Sequence, residues 1–278
     1  MLLSNTVGYQ GVTILKKVWK DVDLTKIKNI VTEDDFYVIE EMGGEIDFSY
    51  LEKLHFKSEN VKITSFTIAF IYLYAAFKKK KVSNLVEFVI DINLTELGES
   101  ALHFTSQIIA VSSKLKVFHF IADYFHTSIS DAICISNADL TSFIIETEEW
   151  RLSNVLDVLD VAQNLKIFIV RDYPPTGLDI DEISRKLKGR KTLETLSLVS
   201  DSRKIGYNFS GLVKILPTLI GLKYLFIGDD VTDELVFDVC KAVRTLKSLE
   251  HLQFSSCKVA NHVKTFLSCR PKTFLLIR

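Results

Sequence analysis

The chain lacks closely spaced cysteines. Its four cysteines are Cys134, Cys240, Cys257 and Cys269, and no two of them stand at the short Cys-x-x-Cys type of spacing. Structural zinc sites and small disulfide frameworks depend on such spacing. We therefore expect no metal site, and we expect the four thiols to act as small, reduced, buried hydrophobic groups.

An excess of charge of either sign is also missing. Thirty-four Lys and Arg residues face 35 Asp and Glu residues, for a formal net charge of -1. Proteins that mainly bind the nucleic-acid backbone usually carry a basic excess, so no nucleic-acid partner is expected. Residues 1–15 lack the basic segment, apolar core and small-residue cleavage site of a secretory signal, which favours a cytosolic location.

No apolar run is long enough to span a bilayer. The longest candidate, Ile63 to Phe77, contains Thr64, Ser65 and Thr67 and falls short of the ~20 residues that a spanning helix needs. Four lysines, at 78–81, follow it directly. We expect a buried helix that ends in a solvated lysine run. The alternative is a peripheral anchor, in which Ile63 to Lys81 contacts anionic lipid.

Catalytic motifs are absent as well. The chain has no Gly-Lys-Ser/Thr loop, no Gly-x-Gly-x-x-Gly after a strand and no Gly-x-Ser-x-Gly elbow. No two histidines stand at metal-ligand spacing on a helix; the six are His55, His103, His119, His126, His251 and His262. The sequence therefore predicts neither an enzyme nor a cofactor.

A recurring phrase dominates what is present. It consists of leucine, two residues, an apolar residue, one residue, an apolar residue, two residues and a small polar residue. Its copies start at Leu51, Leu85, Leu115, Leu140, Leu165, Leu193, Leu222 and Leu249, with a weak one at Leu24. Repetition at about 28 residues indicates a stacked repeat in which each unit is one strand and one helix.

The phrases predict strands, and the segments between them predict helices. In each phrase the first, fourth and sixth positions point into the core, while the third, fifth and seventh point to the other face. One helical face carries Leu152, Val155, Leu156, Leu159 and Ala162, and another carries Leu235, Val236, Val239, Cys240 and Val243. Asp179 precedes Glu182 at capping-box spacing, and Thr232 precedes two acidic residues. Pro174 and Pro175 predict a loop.

The phrase resembles that of leucine-rich repeat proteins of the ribonuclease-inhibitor-like class. Its ninth position matches the family at Asn93 and Cys257 but departs from it at Glu59, Asp123, Glu148, Tyr173, Asp201 and Asp230. The resemblance implies an α/β solenoid of about nine repeats, a horseshoe with a concave parallel sheet and convex helices. It covers residues 24–278, which leaves residues 1–23 as an N-terminal cap or degenerate repeat.

With this register, the concave face contains the candidate partner-binding residues. They are Lys53, His55, Lys57, Glu87, Val117, His119, Ile121, Ile144, Glu146, Ile167, Ile169, Arg171, Tyr224 and Phe226. The isoleucines and valines predict an apolar centre inside a charged rim, as in a protein interface. The alternatives are that branched residues only reflect strand propensity, or that a one-residue slip has exchanged the two faces.

These observations predict a non-enzymatic module that binds a protein partner on its concave face. The resemblance suggests two settings, the C-terminal sensing part of a cytosolic innate immune receptor and the substrate-recognition part of an F-box type ubiquitin ligase. A GTPase-activating regulator of the Ran type is a further alternative, for which Arg171 is the one arginine at a suitable strand end. Residues Lys272 to Arg278 predict a final apolar strand, whose edge is a candidate oligomer contact.

Overall fold

The computed structural model describes the parts of the chain that carry the strands and most of the helices. The described residues are 29–30, 50–57, 71, 73–75, 84–91, 94–122, 124–136, 139–147, 149–171, 177–199, 209–228, 231–254 and 274–276. The ninth positions of the phrases, Pro174, Pro175 and most of Ile63 to Lys81 lie outside these ranges.

The strands within these ranges include one in each phrase from Leu51 to Leu249. They are β1 (Asn29–Ile30), β2 (Lys53–Lys57), β3 (Glu87–Asp91), β4 (Val117–Ile121), β5 (Tyr124–Phe125), β6 (Ser142–Glu146), β7 (Glu149–Trp150), β8 (Ile167–Arg171), β9 (Thr195–Leu198), β10 (Tyr224–Ile227), β11 (His251–Phe254) and β12 (Phe274–Leu276). Ten of them form one sheet in the order β1-β2-β3-β4-β6-β8-β9-β10-β11-β12. Strands β5 and β7 pair separately.

Every pairing in the large sheet is parallel, and the phrases stay in register across it. Leu54, Phe88 and Phe118, all at the fourth position, lie side by side, and the same alignment continues as far as Leu252. The predicted strand at Lys272 to Arg278 is present as β12, which pairs with β11. The molecule therefore has an open parallel sheet built from consecutive units, which is a solenoid-like arrangement.

Helices connect successive strands. They are α1 (Leu94–Ala110), α2 (Thr127–Ser136), α3 (Leu152–Val161), α4 (Gly177–Leu187), α5 (Ser210–Ile215) and α6 (Asp233–Ala242). Each of these helices contacts the next one along the chain. They form a second layer beside the sheet, and the core lies between the two layers.

The core consists of the first, fourth and sixth positions of the phrases. The first-position leucines from Leu51 to Leu222 are fully buried, and Leu249 is partly buried against the same cluster. The fourth and sixth positions are buried in every strand from β2 to β11. Because helices cover this side of the sheet, only the side chains that point to the opposite side of each strand can face solvent.

Phenylalanines at the fourth position form a continuous row through the middle of the core. Phe88, Phe118, Phe143 and Phe168 are fully buried. Their successive ring centroids are 6.1, 6.3 and 6.0 Å apart. Each contact of this kind adds about 0.5–1.5 kcal/mol to what the buried area provides. The row therefore links four successive strands through side chains as well as through backbone hydrogen bonds.

Two local predictions were wrong. The weak phrase at Leu24 would place Ile27 beside Leu54, but the pairing of β1 places Ile30 there, three residues later. A phrase that starts at Ile27 also has apolar first and fourth positions. Asp179 was expected to cap a helix. Because α4 begins at Gly177, Asp179 lies inside its first turn.

The predicted start of the last helix is confirmed. The hydroxyl of Thr232 accepts a hydrogen bond of 3.2 Å from the backbone N–H of Leu235. Asp233 and Glu234 occupy the first turn, where the helix dipole favours negative charge. The buried face of this helix consists of Val236, Val239 and Cys240, as the helical period predicts.

The two faces of β6 give a direct test of this packing. We expect Phe143→Ala to lower the free energy of unfolding by about 3–5 kcal/mol, because it leaves a cavity in the phenylalanine row. Ile144→Ala, on the adjacent position and the opposite face, should cost about 1 kcal/mol or less. Urea unfolding followed by circular dichroism measures both. Equal losses would contradict the assignment of the two faces.

Candidate functional site

The side of the sheet opposite the helices carries the predicted partner-binding residues. We call it the open face and define it by the third, fifth and seventh positions of the phrases. Lys53 and Tyr224 are exposed there. Half-buried on it are His55, Glu87, Val117, His119, Ile121, Ile144, Glu146, Ile167, Ile169, Arg171 and Phe226. Lys57 is the last residue of β2 and pairs with Asp91 of β3.

The apolar residues of the open face form a smaller group than the sequence suggests. Ile144 and Ile169 pair directly across β6 and β8, and Ile167 lies on β8 two residues before Ile169. Val117 is separated from Ile167 by Ser142, which is 5 % exposed and lies between them in register. Ile121 pairs with Glu146 rather than with an apolar residue of β6. The apolar residues that pair directly or follow one another on one strand are therefore Ile144, Ile167 and Ile169, which we call the isoleucine centre.

An ionic cluster around Glu146 borders this centre. The Arg171 Nη1 lies 3.3 Å from Glu146 Oε1, and the His119 Nε2 lies 3.6 Å from the same oxygen. The second distance is too long for a hydrogen bond. The nearby His119 imidazole, followed by the Arg171 guanidinium, outweighs the opposite effect of burial and lowers the pKa of the Glu146 carboxyl.

A second ionic cluster surrounds Glu87 on the N-terminal side. Its two oxygens face Lys53 Nζ at 2.8 Å and His55 Nε2 at 2.6 Å. Burial alone would raise the pKa of the Glu87 carboxyl, but the hydrogen bonds from Lys53 and His55 outweigh it, so the pKa is lowered. Glu87 and Glu146, the two glutamates of the described open face, thus each lie beside a Lys or Arg and a His of the same chain.

Aromatic side chains replace the charges towards the C-terminal end. The ring of Tyr224 stacks on the imidazole of His251, with centroids 4.7 Å apart and planes at 6°. Tyr224 remains 42 % exposed, and Phe226 follows it on the same face of β10. Tyr224 and Phe226 thus present aromatic surface towards the C-terminal end of the open face.

Sequence reasoning identified the members of the ionic clusters but not how they pair. The contacts Lys53–Glu87 and Glu146–Arg171 join equal positions of neighbouring phrases, so the register alone would have found them. The approach of His119 to Glu146 is diagonal, from a fifth to a seventh position. It depends on side-chain conformations that the phrase does not specify.

The described residues include neither a cluster that could hold a metal ion nor a helix that could cross a bilayer. Within them, no three His, Cys, Asp or Glu side chains are arranged to hold a metal ion. None of the helices that the structure describes is both long and apolar enough to cross a bilayer. Of Ile63 to Lys81, the segment expected to form a buried helix or, as the alternative, a peripheral anchor, the structure describes only residues 71 and 73–75, all of them helical.

Comparison with known proteins gives no family. No protein-family model matches the chain, and no curated protein matches it. A solved structure of a Bacteroides fragilis protein from a structural genomics consortium is similar to this one over 96 % of this chain and 70 % of its own. The TM-score is 0.44 and the sequence identity is 14 %. At these values the likeness supports no conclusion about function.

The lowered pKa of Glu146 predicts a pH-dependent stability contribution. A carboxylate whose folded pKa lies below its unfolded value of about 4.3 stabilises the fold above that value, and this contribution is lost as the pH falls through the folded pKa. We expect Glu146→Gln to lower the free energy of unfolding at pH 7 and to have a smaller effect at pH 3. Urea unfolding at both pH values measures this. Exposed Glu250→Gln is the control, and an effect of Glu146→Gln that is equal at both pH values would contradict the prediction.

Proposed function

We propose that this protein is a non-enzymatic interaction module that binds a protein partner through the open face. In this proposal the sheet is the concave surface of a leucine-rich repeat solenoid of the ribonuclease-inhibitor-like class. The observation that carries the proposal is the isoleucine centre, which lies on the side of the sheet that no described helix covers. Contiguous apolar surface of this kind usually marks a binding site.

The surroundings of the isoleucine centre support an interface. The Glu146 cluster borders it directly, and the Glu87 cluster lies further towards the N-terminal strands. Tyr224 and Phe226 lie beyond it in the C-terminal direction. An apolar centre with polar and charged residues at its edge is the usual composition of a protein-binding surface. Aromatic residues on rigid strands are common energetic anchors in such interfaces.

Rigid presentation is the mechanism that we propose. The open-face side chains stand on strands of the large sheet, in which every strand between β1 and β12 is paired on both sides. Their backbones are therefore already ordered before a partner docks. Association then loses little backbone entropy, and more of the contact energy appears as affinity. The ion pair of Glu146 with Arg171 further restricts the side chains next to the isoleucine centre.

Charge substitutions in the isoleucine centre test the proposal. We expect Ile144→Glu/Ile169→Glu to abolish capture of a partner while leaving the circular dichroism spectrum unchanged, because both side chains lie outside the core. The measurement is affinity capture from the native cytosol followed by mass spectrometry. Ile220→Glu, at an apolar residue that is 56 % exposed but outside the open face, is the matched control. Identical capture by all three proteins would reject the open face as the binding surface.

Phe226→Glu extends the test to the aromatic end of the face. Phe226 is half-buried, and its removal should weaken partner capture by about tenfold or more, as for an aromatic anchor. The thermal midpoint should stay close to that of the wild type. A large fall in the midpoint would instead show that Phe226 serves the fold rather than a partner.

A further inference from the structure

Strand β9 forms a depression in the open face between two bulky strands. Its outward side chains are Thr195 and Ser197. Thr195 lies between Ile167 and Tyr224 in register. Ser197 lies between Ile169 and Phe226. We call this depression the β9 trough, with the two hydroxyl residues as its floor and those four side chains as its walls.

The β9 trough is open at one end and closed at the other. Neighbouring strands lie about 4.8 Å apart, so β8 and β10 are separated by about 10 Å across the trough. Thr195 is half-buried and accessible from solvent, whereas Ser197 is 3 % exposed because its neighbours cover it. The Ser197 hydroxyl has no hydrogen-bond partner. A ligand side chain can therefore enter over Thr195, between Ile167 and Tyr224.

Charge on this half of the open face has a single sign. Among the described open-face residues of β8 to β11, Arg171 is the only side chain with a formal charge. The carboxylates Glu87, Asp91 and Glu146 all lie on β3 and β6. Arg171 contacts Glu146 through Nη1, its Nε is buried without a hydrogen-bond partner, and the side chain as a whole is 43 % exposed. The remaining Nη hydrogens are therefore the donors available to a second carboxylate.

We propose that the partner docks along β9 as an extended polypeptide segment that carries a bulky apolar side chain and a carboxylate. The apolar side chain lies over Thr195, and the carboxylate binds Arg171. This inference rests on the proposed function and specifies the chemistry of the partner. The third and seventh positions of the phrases are about 13 Å apart along the strands. The apolar side chain and the carboxylate of the partner are therefore about four residues apart in an extended segment.

The spacing and the charge favour a polypeptide over other ligands. Open-face positions that follow one another along a strand match an extended chain, whose alternate side chains point to the same side. One guanidinium provides too little positive charge for a nucleic-acid backbone, which is held by several phosphate contacts. Among the described residues, strands β8 to β11 carry no carboxylate, and the carboxylates nearest to the proposed segment are Glu146, which pairs with Arg171, and Glu194, which directly precedes Thr195.

Selection from a random peptide library displayed on phage tests the inference without knowledge of the natural partner. The full chain is immobilised, and enriched peptides are synthesised and titrated by fluorescence polarisation. We expect the enriched sequences to share Asp or Glu with Phe, Trp, Leu or Ile about four residues away. Enriched sequences that are basic, or enrichment of none, would overturn the inference.

Matched variants of the protein locate the binding site of the enriched peptides. Thr195→Phe fills the β9 trough and Arg171→Gln removes its charge, and each should weaken binding at least tenfold. Thr195→Val keeps the size and shape of the side chain and should bind as the wild type does. Unchanged circular dichroism spectra exclude misfolding. Peptides that bind Thr195→Phe and Arg171→Gln normally would overturn the inference.

The two proposals fail in different ways. If the natural partner is lost from Ile144→Glu/Ile169→Glu but is retained by Thr195→Phe and Arg171→Gln, the open face binds a partner elsewhere and only the trough inference is wrong. If capture of the natural partner is unchanged in all three variants, the proposed function is wrong as well.

Discussion

The parallel alignment of the leucine phrases is the constraint on which the rest of the structure depends. Each strand buries its first, fourth and sixth positions against the helices, and no single unit could do so alone. The phenylalanine row, from Phe88 to Phe168, requires these positions to lie level in successive strands. A slip of one residue would move phenylalanine into solvent in every affected strand, so the register is strongly specified.

The composition of the open face follows from this alignment. Once the inward positions are buried, none of the helices that the structure describes covers the third, fifth and seventh positions, and isoleucines there remain half-buried. The charged residues on the same face are compensated locally, since Glu87 and Glu146 each have two basic neighbours of the same chain. The β9 trough arises because Thr195 and Ser197 are small where their in-register neighbours are large.

Periodicity predicted the strands well because their pattern repeats and every copy supports the others. Local end signals were less reliable. Thr232 caps its helix as its residue type suggests, whereas Asp179 lies within a helix that begins earlier. The Leu24 phrase was misplaced by three residues because several apolar residues near Ile30 allow the same pattern. The register of a single strand is ambiguous in the sequence where two registers would bury comparable side chains.

The sequence by itself determined which residues alternate between core and surface, because a strand places successive side chains on opposite faces whatever its neighbours are. Only the tertiary structure decided which surface residues meet. Ser142 separates Val117 from Ile167, His119 reaches diagonally to Glu146, and Tyr224 stacks on His251. These contacts join residues from different repeats, and they depend on strand register and side-chain conformation together, neither of which a single phrase contains.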